Sequence, residues 1–239
     1  MSPDVLHRAP GAGRTVRVGS ERQTKAGYNA GMAHATWMAL VVLTGCGVAP
    51  ASPAAPDCPD GGMLVASRGD LARLASCATL RGLTVRSGAA LDLAALRALA
   101  AITEDLVIGP TVAVEDVELP ALRTVGGAIR VVGNGLLRQV RLPRLERAGD
   151  VVIDGNPVVA TIALPRLQTV HGALRITDNA SLELIDLAAL ATVGHELVIA
   201  GDPALSLVEA EQLQHAAAVS IDAPKLPPDV AERLRAAAR

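Results

Sequence analysis

The chain has 239 residues and a formal net charge of −2, which argues against a nucleic-acid-binding protein because such proteins carry a basic excess. Half of the residues are apolar, yet Phe is absent, and the single Tyr28 and Trp37 both lie near the N-terminus. The rest of the chain must therefore build its core from Leu, Val, Ile and Ala, which suits the thin, regular layers of a solenoid.

The N-terminal segment has the features of an export signal. Ala35–Thr44 is an apolar run that is too short to span a bilayer, which needs about 20 residues, but it has the length of a signal-peptide core. It ends in Leu43-Thr44-Gly45-Cys46, which resembles the lipobox of bacterial lipoproteins. The resemblance implies a signal peptide over residues 1–45 with a long basic region, diacylglycerol on Cys46, and acylation of the new N-terminus by a fatty acid such as palmitate.

Two points about this segment stay open. One alternative is an apolar stretch with a chance cysteine in a plain secreted protein. The other concerns the start of translation at Met1 or Met32, since a start at Met32 leaves no Lys or Arg before the apolar run. By resemblance to enterobacterial sorting, Gly47 after Cys46 favours a lipid-anchored protein of the bacterial outer membrane or cell surface. Residues 46–57 are rich in Pro and Ala and are interpreted as an extended tether.

Residues 58–239 are predicted to form one repeat domain. With Cys46 lipidated, Cys58 and Cys77 remain as an even pair in an exported protein, which predicts a disulfide that closes a loop of about 20 residues. Between them, Ser67 or Asp70 can cap a short helix that covers the first repeat. The alternative, a metal-binding or catalytic thiol pair, lacks an accompanying His or acidic cluster.

This opening resembles the receptor L-domain, the module that forms ligand-binding lobes in the insulin-receptor and epidermal-growth-factor-receptor ectodomains. Related repeats occur in fungal cell-wall glycoproteins and bacterial lipoproteins. The resemblance covers roughly residues 58–221 and lies in Cys58-Pro59, Asp70-Leu71, Leu74, Cys77 and the run 80–85. It implies a right-handed, leucine-rich-repeat-like or β-helix-like solenoid with a capping helix at the N-terminal end and capping helices at the C-terminal end.

One apolar pair at positions i and i+2 recurs every 22 or 23 residues, and we call each such repeat a rung. An i/i+2 pair predicts a short strand with alternate side chains inward. The seven pairs are Leu83/Val85, Leu106/Ile108, Ile129/Val131, Val151/Ile153, Leu174/Ile176, Leu197/Ile199 and Val219/Ile221. The fold class is therefore mainly β, a solenoid of about seven rungs.

A second apolar pair follows in most rungs and predicts a second sheet. Prolines come directly after three of these pairs and should end their strands, since proline has no N–H for the ladder. The pairs are Leu91/Leu93, Val117/Leu119, Val140/Leu142, Ile162/Leu164 and Ile185/Leu187, and the prolines are Pro120, Pro143 and Pro165.

Asn134, Asn156 and Asn179 recur at the turn after the first strand, where positive φ is tolerated. We interpret them as a structural asparagine ladder; the alternative is a polar binding row. In the last rung, strong helix formers predict a helix over Val208–Ala217. A strand at Val219–Ile221 and a final helix over Asp229–Ala238 follow, with the two helices closing the end of the solenoid.

No catalytic motif, cofactor-binding motif or metal-ligand spacing is present, and His171, His195 and His215 occupy unrelated repeat positions. We therefore expect a protein that is not an enzyme and needs no cofactor or metal. The outward positions between the apolar pairs read Val107, Arg130, Val152, Arg175 and Val198, and Arg130, Val152, Arg175 and Val198 are the predicted binding surface.

These features lead to a functional hypothesis. The protein is a membrane-anchored surface lipoprotein whose repeat domain binds another envelope or cell-surface component, either a protein or an anionic glycan. Arg144 and Arg166, which follow prolines in adjacent rungs, are a further candidate for anion binding. The alternative is a purely structural envelope or spacer protein without a specific ligand.

Overall fold

The computed structural model describes residues 58–111 and 113–238. The predicted signal peptide, the lipidation site Cys46 and the tether lie outside the described residues. In chain order the elements are β1 Gly62–Val65, α1 Arg68–Leu74, β2 Thr79–Leu80, β3 Gly82–Val85, a 3-10 helix Leu93–Ala95, β4 Ala101–Ile102, β5 Leu106–Ile108, β6 Asp116–Glu118, β7 Thr124–Val125, β8 Ile129–Val132, β9 Gln139–Arg141, β10 Arg147–Ala148, β11 Val151–Asp154, β12 Thr161–Ala163, β13 Thr169–Val170, β14 Leu174–Thr177, β15 Leu184–Asp186, β16 Thr192–Ala200, β17 Leu207–Glu209, β18 His215–Asp222 and α2 Pro228–Arg235.

The seven predicted apolar pairs lie in one parallel ladder, here called the long sheet. It contains β1, β3, β5, β8, β11 and β14, together with the second halves of β16 and β18. Each strand pairs in register with the strand of the next rung, so that Leu83, Leu106 and Ile129 stack on one another. All pairs except Val219/Ile221 in the last rung are fully buried. The parallel β-solenoid of about seven rungs is therefore confirmed.

The second predicted sheet is present as the five-stranded sheet β6, β9, β12, β15 and β17. Its strands bury Val117, Val140, Ile162, Ile185 and Val208. Three of them end two residues before the prolines that were predicted to stop them. Leu91 and Leu93 are also buried, but they lie outside this sheet, since the 3-10 helix begins at Leu93 after its cap residue Asp92.

A third ladder, here called the short ladder, was not predicted. It consists of the two-residue strands β2, β4, β7, β10 and β13, and it joins the long sheet through β16 and β18, which run continuously from one to the other. One residue of each short strand is buried, as Val125 and Val170 illustrate. Each rung therefore has three straight segments around one aliphatic core, where the sequence predicted two.

A residue with positive φ forms the turn between the long sheet and the five-stranded sheet. Gly133, Gly155 and Gly201 have φ values of 67°, 63° and 72°, and Asp178 takes the same conformation at 55°. Glycine adopts this conformation without steric cost, and Asp tolerates it better than most residues. The next residue in each rung is then directed into the core, and these residues are Asn134, Asn156, Asp202 and Asn179.

The predicted helix over Val208–Ala217 is wrong. Val208 lies in β17, paired with Ile185 of β15, and Ala216 lies in β18, paired with Val193 of β16. The helix-forming residues of this segment are overridden because the preceding rung offers two open strand edges and an apolar layer to cover. Hydrogen bonding and burial of Val208 and Ala216 together outweigh a propensity difference of less than about 1 kcal/mol per residue.

The final helix is present as α2, slightly earlier and shorter than the predicted span. Ala231 and Leu234 are buried against the last rung, and Ala216 N–H donates to the carbonyl oxygen of Ala237 at 3.0 Å. One C-terminal helix therefore contacts the last rung. At the other end, Ser67 caps α1 through a reciprocal bond with Asp70, and this bond contributes to lowering the pKa of Asp70 to about 2.

Candidate functional site

The predicted binding surface is a continuous row on the outer side of the long sheet. In-register pairing aligns Val107 with Arg130, Arg130 with Val152, Val152 with Arg175, and Arg175 with Val198. The chain neighbours of each of these residues are buried, so the alternation of a strand turns the row outward. The structure therefore brings Arg130, Val152, Arg175 and Val198 together as one surface, with successive residues about 4.8 Å apart.

Both arginines of this row are ion-paired on the same face. Arg130 Nη1 lies 3.1 Å from Asp105 Oδ2, and Arg175 Nε lies 2.9 Å from Glu196 Oε1. These side chains are 39% to 51% exposed, so each pair contributes at most about 1 kcal/mol to stability. The main effect of the ion pairs is therefore to neutralise the positive charge of the two arginines. The row consists of valines that alternate with these neutralised arginines.

The acidic partners reveal a two-rung alternation. Asp105 and Asp150 accept hydrogen bonds from the backbone N–H groups of Ala128 and Ala173 in the next rung, both at 2.8 Å. Rungs with an acidic residue at this position have valine in the row, and rungs with alanine have arginine. This position reads Asp105, Ala128, Asp150, Ala173 and Glu196 in successive rungs. The outer face of the long sheet is thus mixed: from one rung to the next along the solenoid axis, valines alternate with ion-paired arginines.

The three asparagines lie inside the protein, not on a binding surface. Asn134, Asn156 and Asn179 have no exposed area. Asn156 Oδ1 accepts from the backbone N–H and the side-chain amide of Asn134, at 3.1 and 2.9 Å. Asn179 does the same for Asn156 at 3.2 and 3.1 Å. The row therefore links successive rungs through buried hydrogen bonds and is inaccessible to a ligand.

Asp202 extends this row by one rung, at the turn where the sequence has Gly201-Asp202 in place of the Gly-Asn or Asp-Asn pair of the earlier units. Its Oδ1 accepts from the backbone N–H and the amide of Asn179 at 2.8 and 3.2 Å, whereas its buried Oδ2 has no partner. Burial raises the pKa of Asp202 to about 6, and the charges of Asp178 and Asp154 add to this effect. The signal in the sequence was its spacing of 23 residues from Asn179.

Cys58 and Cys77 form a disulfide, with Cα atoms 5.7 Å apart. Cys77, which follows the end of α1, is fully buried, and Cys58 is partly buried and packs against the core. The third cysteine, Cys46, lies outside the described residues, so its lipidation stays a prediction.

The histidines are scattered, as their unrelated repeat positions suggest: His171, His195 and His215 are exposed and lie in different rungs. Among residues 58–111 and 113–238, no group of three or more His, Cys, Asp or Glu side chains has the geometry to hold a metal ion. None of the helices in that part of the chain is long and apolar enough to cross a membrane.

Comparison of the chain with protein-family models, with curated proteins and with solved structures gave no match. The features that bear on function are therefore the surface of the solenoid and the sequence motifs.

Proposed function

We propose that the protein is a membrane-anchored, non-enzymatic surface lipoprotein whose repeat domain binds another component of the bacterial envelope or cell surface. The observation that carries the proposal is the row Val107–Arg130–Val152–Arg175–Val198 on the long sheet. A row of this kind is held rigidly because every residue sits on a strand that is hydrogen-bonded on both sides.

The chemistry of the row suits a macromolecular partner. Half-buried valines offer apolar contact, and the neighbouring ion pairs provide a polar rim that can exchange partners on binding, as in other protein interfaces. The row lies on an extended sheet face, which favours an extended partner over a small molecule that needs enclosure.

Membrane anchoring is proposed from the lipobox-like run Leu43–Cys46 and from the Pro/Ala-rich tether that follows it. A tether of this composition separates the domain from the lipid surface by roughly 30 Å. By resemblance to enterobacterial sorting, Gly47 favours the outer membrane or the cell surface.

The relation to the receptor L-domain and a right-handed winding belong to the same proposal. The relation is supported by the order of the N-terminal features, in which the Cys58–Cys77 disulfide encloses α1 and is followed by β3 at Gly82–Val85. The right-handed winding is what this relation implies. The ligands of the receptor lobes are not carried over, because a shared fold does not imply a shared ligand.

The anchoring is tested by expressing the full chain and its Cys46→Ala variant in a Gram-negative host. We expect the wild-type protein to begin at Cys46 with three acyl chains by intact mass, and to sediment with the outer membrane. The variant should lack the lipid mass and leave that fraction. An unprocessed, unlipidated wild-type chain refutes the anchoring.

The binding face is tested by placing a photo-crosslinking amino acid at position 152 of the long sheet. The matched control carries it at position 161, a half-buried threonine of the five-stranded sheet. A discrete adduct from position 152 alone, identified by mass spectrometry as one envelope component, is the expected result. Equal adducts from both positions, or none, favour the alternative function.

That alternative is a structural spacer without a specific ligand. It is favoured by the ion pairs Arg130–Asp105 and Arg175–Glu196, which leave the arginines of the row already neutralised. A spacer needs only a solvated surface, and paired charges provide one.

A further inference from the structure

Four arginines lie at the corner between the five-stranded sheet and the short ladder. Unlike the arginines of the long sheet, they have no ion-pair partner among the described residues. Arg141 ends β9, Arg144 follows Pro143 at the corner, and Arg147 begins β10, while Arg166 takes the position of Arg144 one rung later. All four side chains are exposed. We call these four residues the arginine corner.

The arginine corner stands out because its guanidinium groups are unpaired within the part of the chain that the structure describes. Around it, Arg123, Arg130, Arg138 and Arg175 each lie within ion-pair distance of a carboxylate. The nearest acid in sequence, Glu146, is directed to Arg123, with 2.9 Å between Oε1 and Nη1. The positive charge of the corner is therefore available to a partner.

The shape of the corner restricts the partner. Arg141, Arg144 and Arg147 follow one another around the rung over about 20 Å of chain, whereas Arg144 and Arg166 are about 4.8 Å apart along the rod. Acidic residues border the patch on the five-stranded sheet: Glu115, Asp116 and Glu118 one rung before Arg141, and Asp186 two rungs after it. An anionic polymer can therefore run around the solenoid, along the arginines of one rung. A polymer parallel to the solenoid axis would be repelled by the acidic residues of the neighbouring rungs.

We propose that the arginine corner is a docking surface for an anionic polysaccharide of the cell envelope. Guanidinium groups bind carboxylates and phosphates through paired N–H donors, and four of them spaced around one corner match a chain with repeated charges. A nucleic-acid duplex is disfavoured because it needs a longer basic track than one or two rungs. The proposal rests on the proposed function only for placing the protein in the envelope.

The test measures binding of the full chain, purified in an uncharged detergent, to immobilised polygalacturonate, with dextran as the neutral polymer. We expect salt-sensitive binding to polygalacturonate and none to dextran. The double variant Arg144→Ala/Arg166→Ala should bind about tenfold more weakly, since two charge-assisted contacts are lost.

A matched control removes the same charge elsewhere: Arg73→Ala/Arg81→Ala, near the N-terminal end of the solenoid, should change the affinity less than about twofold, because those arginines are already paired with Asp70 and Glu104. Glu118→Gln should strengthen binding, since Glu118 lies beside Arg141 in the register of β6 and β9. Far-UV circular dichroism identifies any variant that fails to fold; for such a variant, charge-conserving Arg144→Lys/Arg166→Lys replaces alanine and should retain partial binding.

Three outcomes overturn the inference: no binding by the wild-type chain at low salt, an equal loss in both double variants, or displacement of the polymer by phosphatidylglycerol added to the micelles in preference to free galacturonate oligomers. The last outcome assigns the corner to a lipid headgroup. Each outcome is independent of the Cys46 and position-152 experiments, so the docking surface can fail while the proposed function stands, and the reverse.

Discussion

At the scale of single residues, the buried polar row Asn134–Asn156–Asn179–Asp202 is constrained by hydrogen bonds between and within rungs. Asn156 and Asn179 donate through Nδ2 to the carbonyl oxygens of Asp154 and Thr177, two residues earlier in each chain segment. Asp202 has a second carboxylate oxygen, Oδ2, where the asparagines have the Nδ2 amide, and this oxygen has no hydrogen-bond partner. A proton on Oδ2 supplies the missing donor, and the raised pKa of Asp202 is in accord with this.

The stability of the protein should consequently depend on Asp202 in the acidic range. Its pKa is about 6 in the folded protein and 3.8 in an exposed carboxyl, so its stabilising contribution is complete below about pH 4 and is lost as the pH rises through 6. The difference corresponds to at most about 3 kcal/mol. Asp202→Asn, which provides a permanent donor, should raise the free energy of unfolding at pH 7 and leave it nearly unchanged at pH 4.

Urea unfolding of the wild-type protein and of Asp202→Asn between pH 4 and pH 8 measures this effect. Asp222→Asn on the exposed end of β18 is the control and should retain the wild-type pH dependence. If Asp202→Asn retains it as well, Asp202 is not the titrating group.

At the scale of the structural elements, the bend between the short ladder and the long sheet depends on close contact between rungs. A Cβ atom on Gly194 would lie 2.0 Å from the carbonyl oxygen of His171, and one on Gly126 would lie 2.2 Å from that of Thr103. At Gly127 and Gly172 the same space is filled by the carboxylates of Asp105 and Asp150 from the previous rung. Glycine at this bend allows both the close stacking and the aspartate hydrogen bonds.

Gly194→Ala should therefore destabilise the protein by about 2 kcal/mol or more, because the blocking atom belongs to the backbone and the rungs must separate to admit a methyl group. Gly135→Ala is the matched control, since no atom lies within 4 Å of its added Cβ and its φ is not positive. That substitution should change the free energy of unfolding by less than about 0.5 kcal/mol. Thermal and urea unfolding of the two variants compare them directly, and similar losses in both would show that the bend tolerates a side chain.

At the scale of the whole molecule, each rung contacts only the rungs on either side, so stability is close to a sum of neighbouring interfaces. The Cys58–Cys77 disulfide acts at one end, where it ties the chain before β1 to the chain after α1. Helix α2 covers the other end without a disulfide, through Ala231 and Leu234.

Reduction of the disulfide should therefore loosen the solenoid from that end. For a loop of 19 residues we expect a loss of about 3 kcal/mol, concentrated in β1 and β3. Hydrogen exchange under reducing conditions should show lost protection in these strands while β14 and later strands keep theirs. The Cys58→Ser/Cys77→Ser variant should not respond to reductant. Uniform loss along the rod would indicate one cooperative unit instead.

The sequence by itself determined the parallel solenoid and its period. In an in-register stack, each residue lies on its counterpart one rung earlier, so the same burial requirement recurs every 22 or 23 residues, as for Leu174 and Leu197. The asparagine positions were predictable for the same reason. The lipid anchor and the functional hypothesis also come from sequence motifs, and they stay predictions.

Only the tertiary structure decided which segments became strands where the local signal was weak or contrary. The two-residue strands are too short to show an alternating pattern, and Val208–Ala217 joined the sheets because the neighbouring rung offered open edges. The charge state of the predicted surface was decided in the same way: Arg130 and Asp105 are 25 residues apart, and only the stacking of rungs places Asp105 within reach to neutralise Arg130. Contacts that recur in every rung leave a repeated pattern in the sequence and can be predicted from it. A contact that occurs between only two particular rungs leaves no such pattern and is seen only in the folded structure.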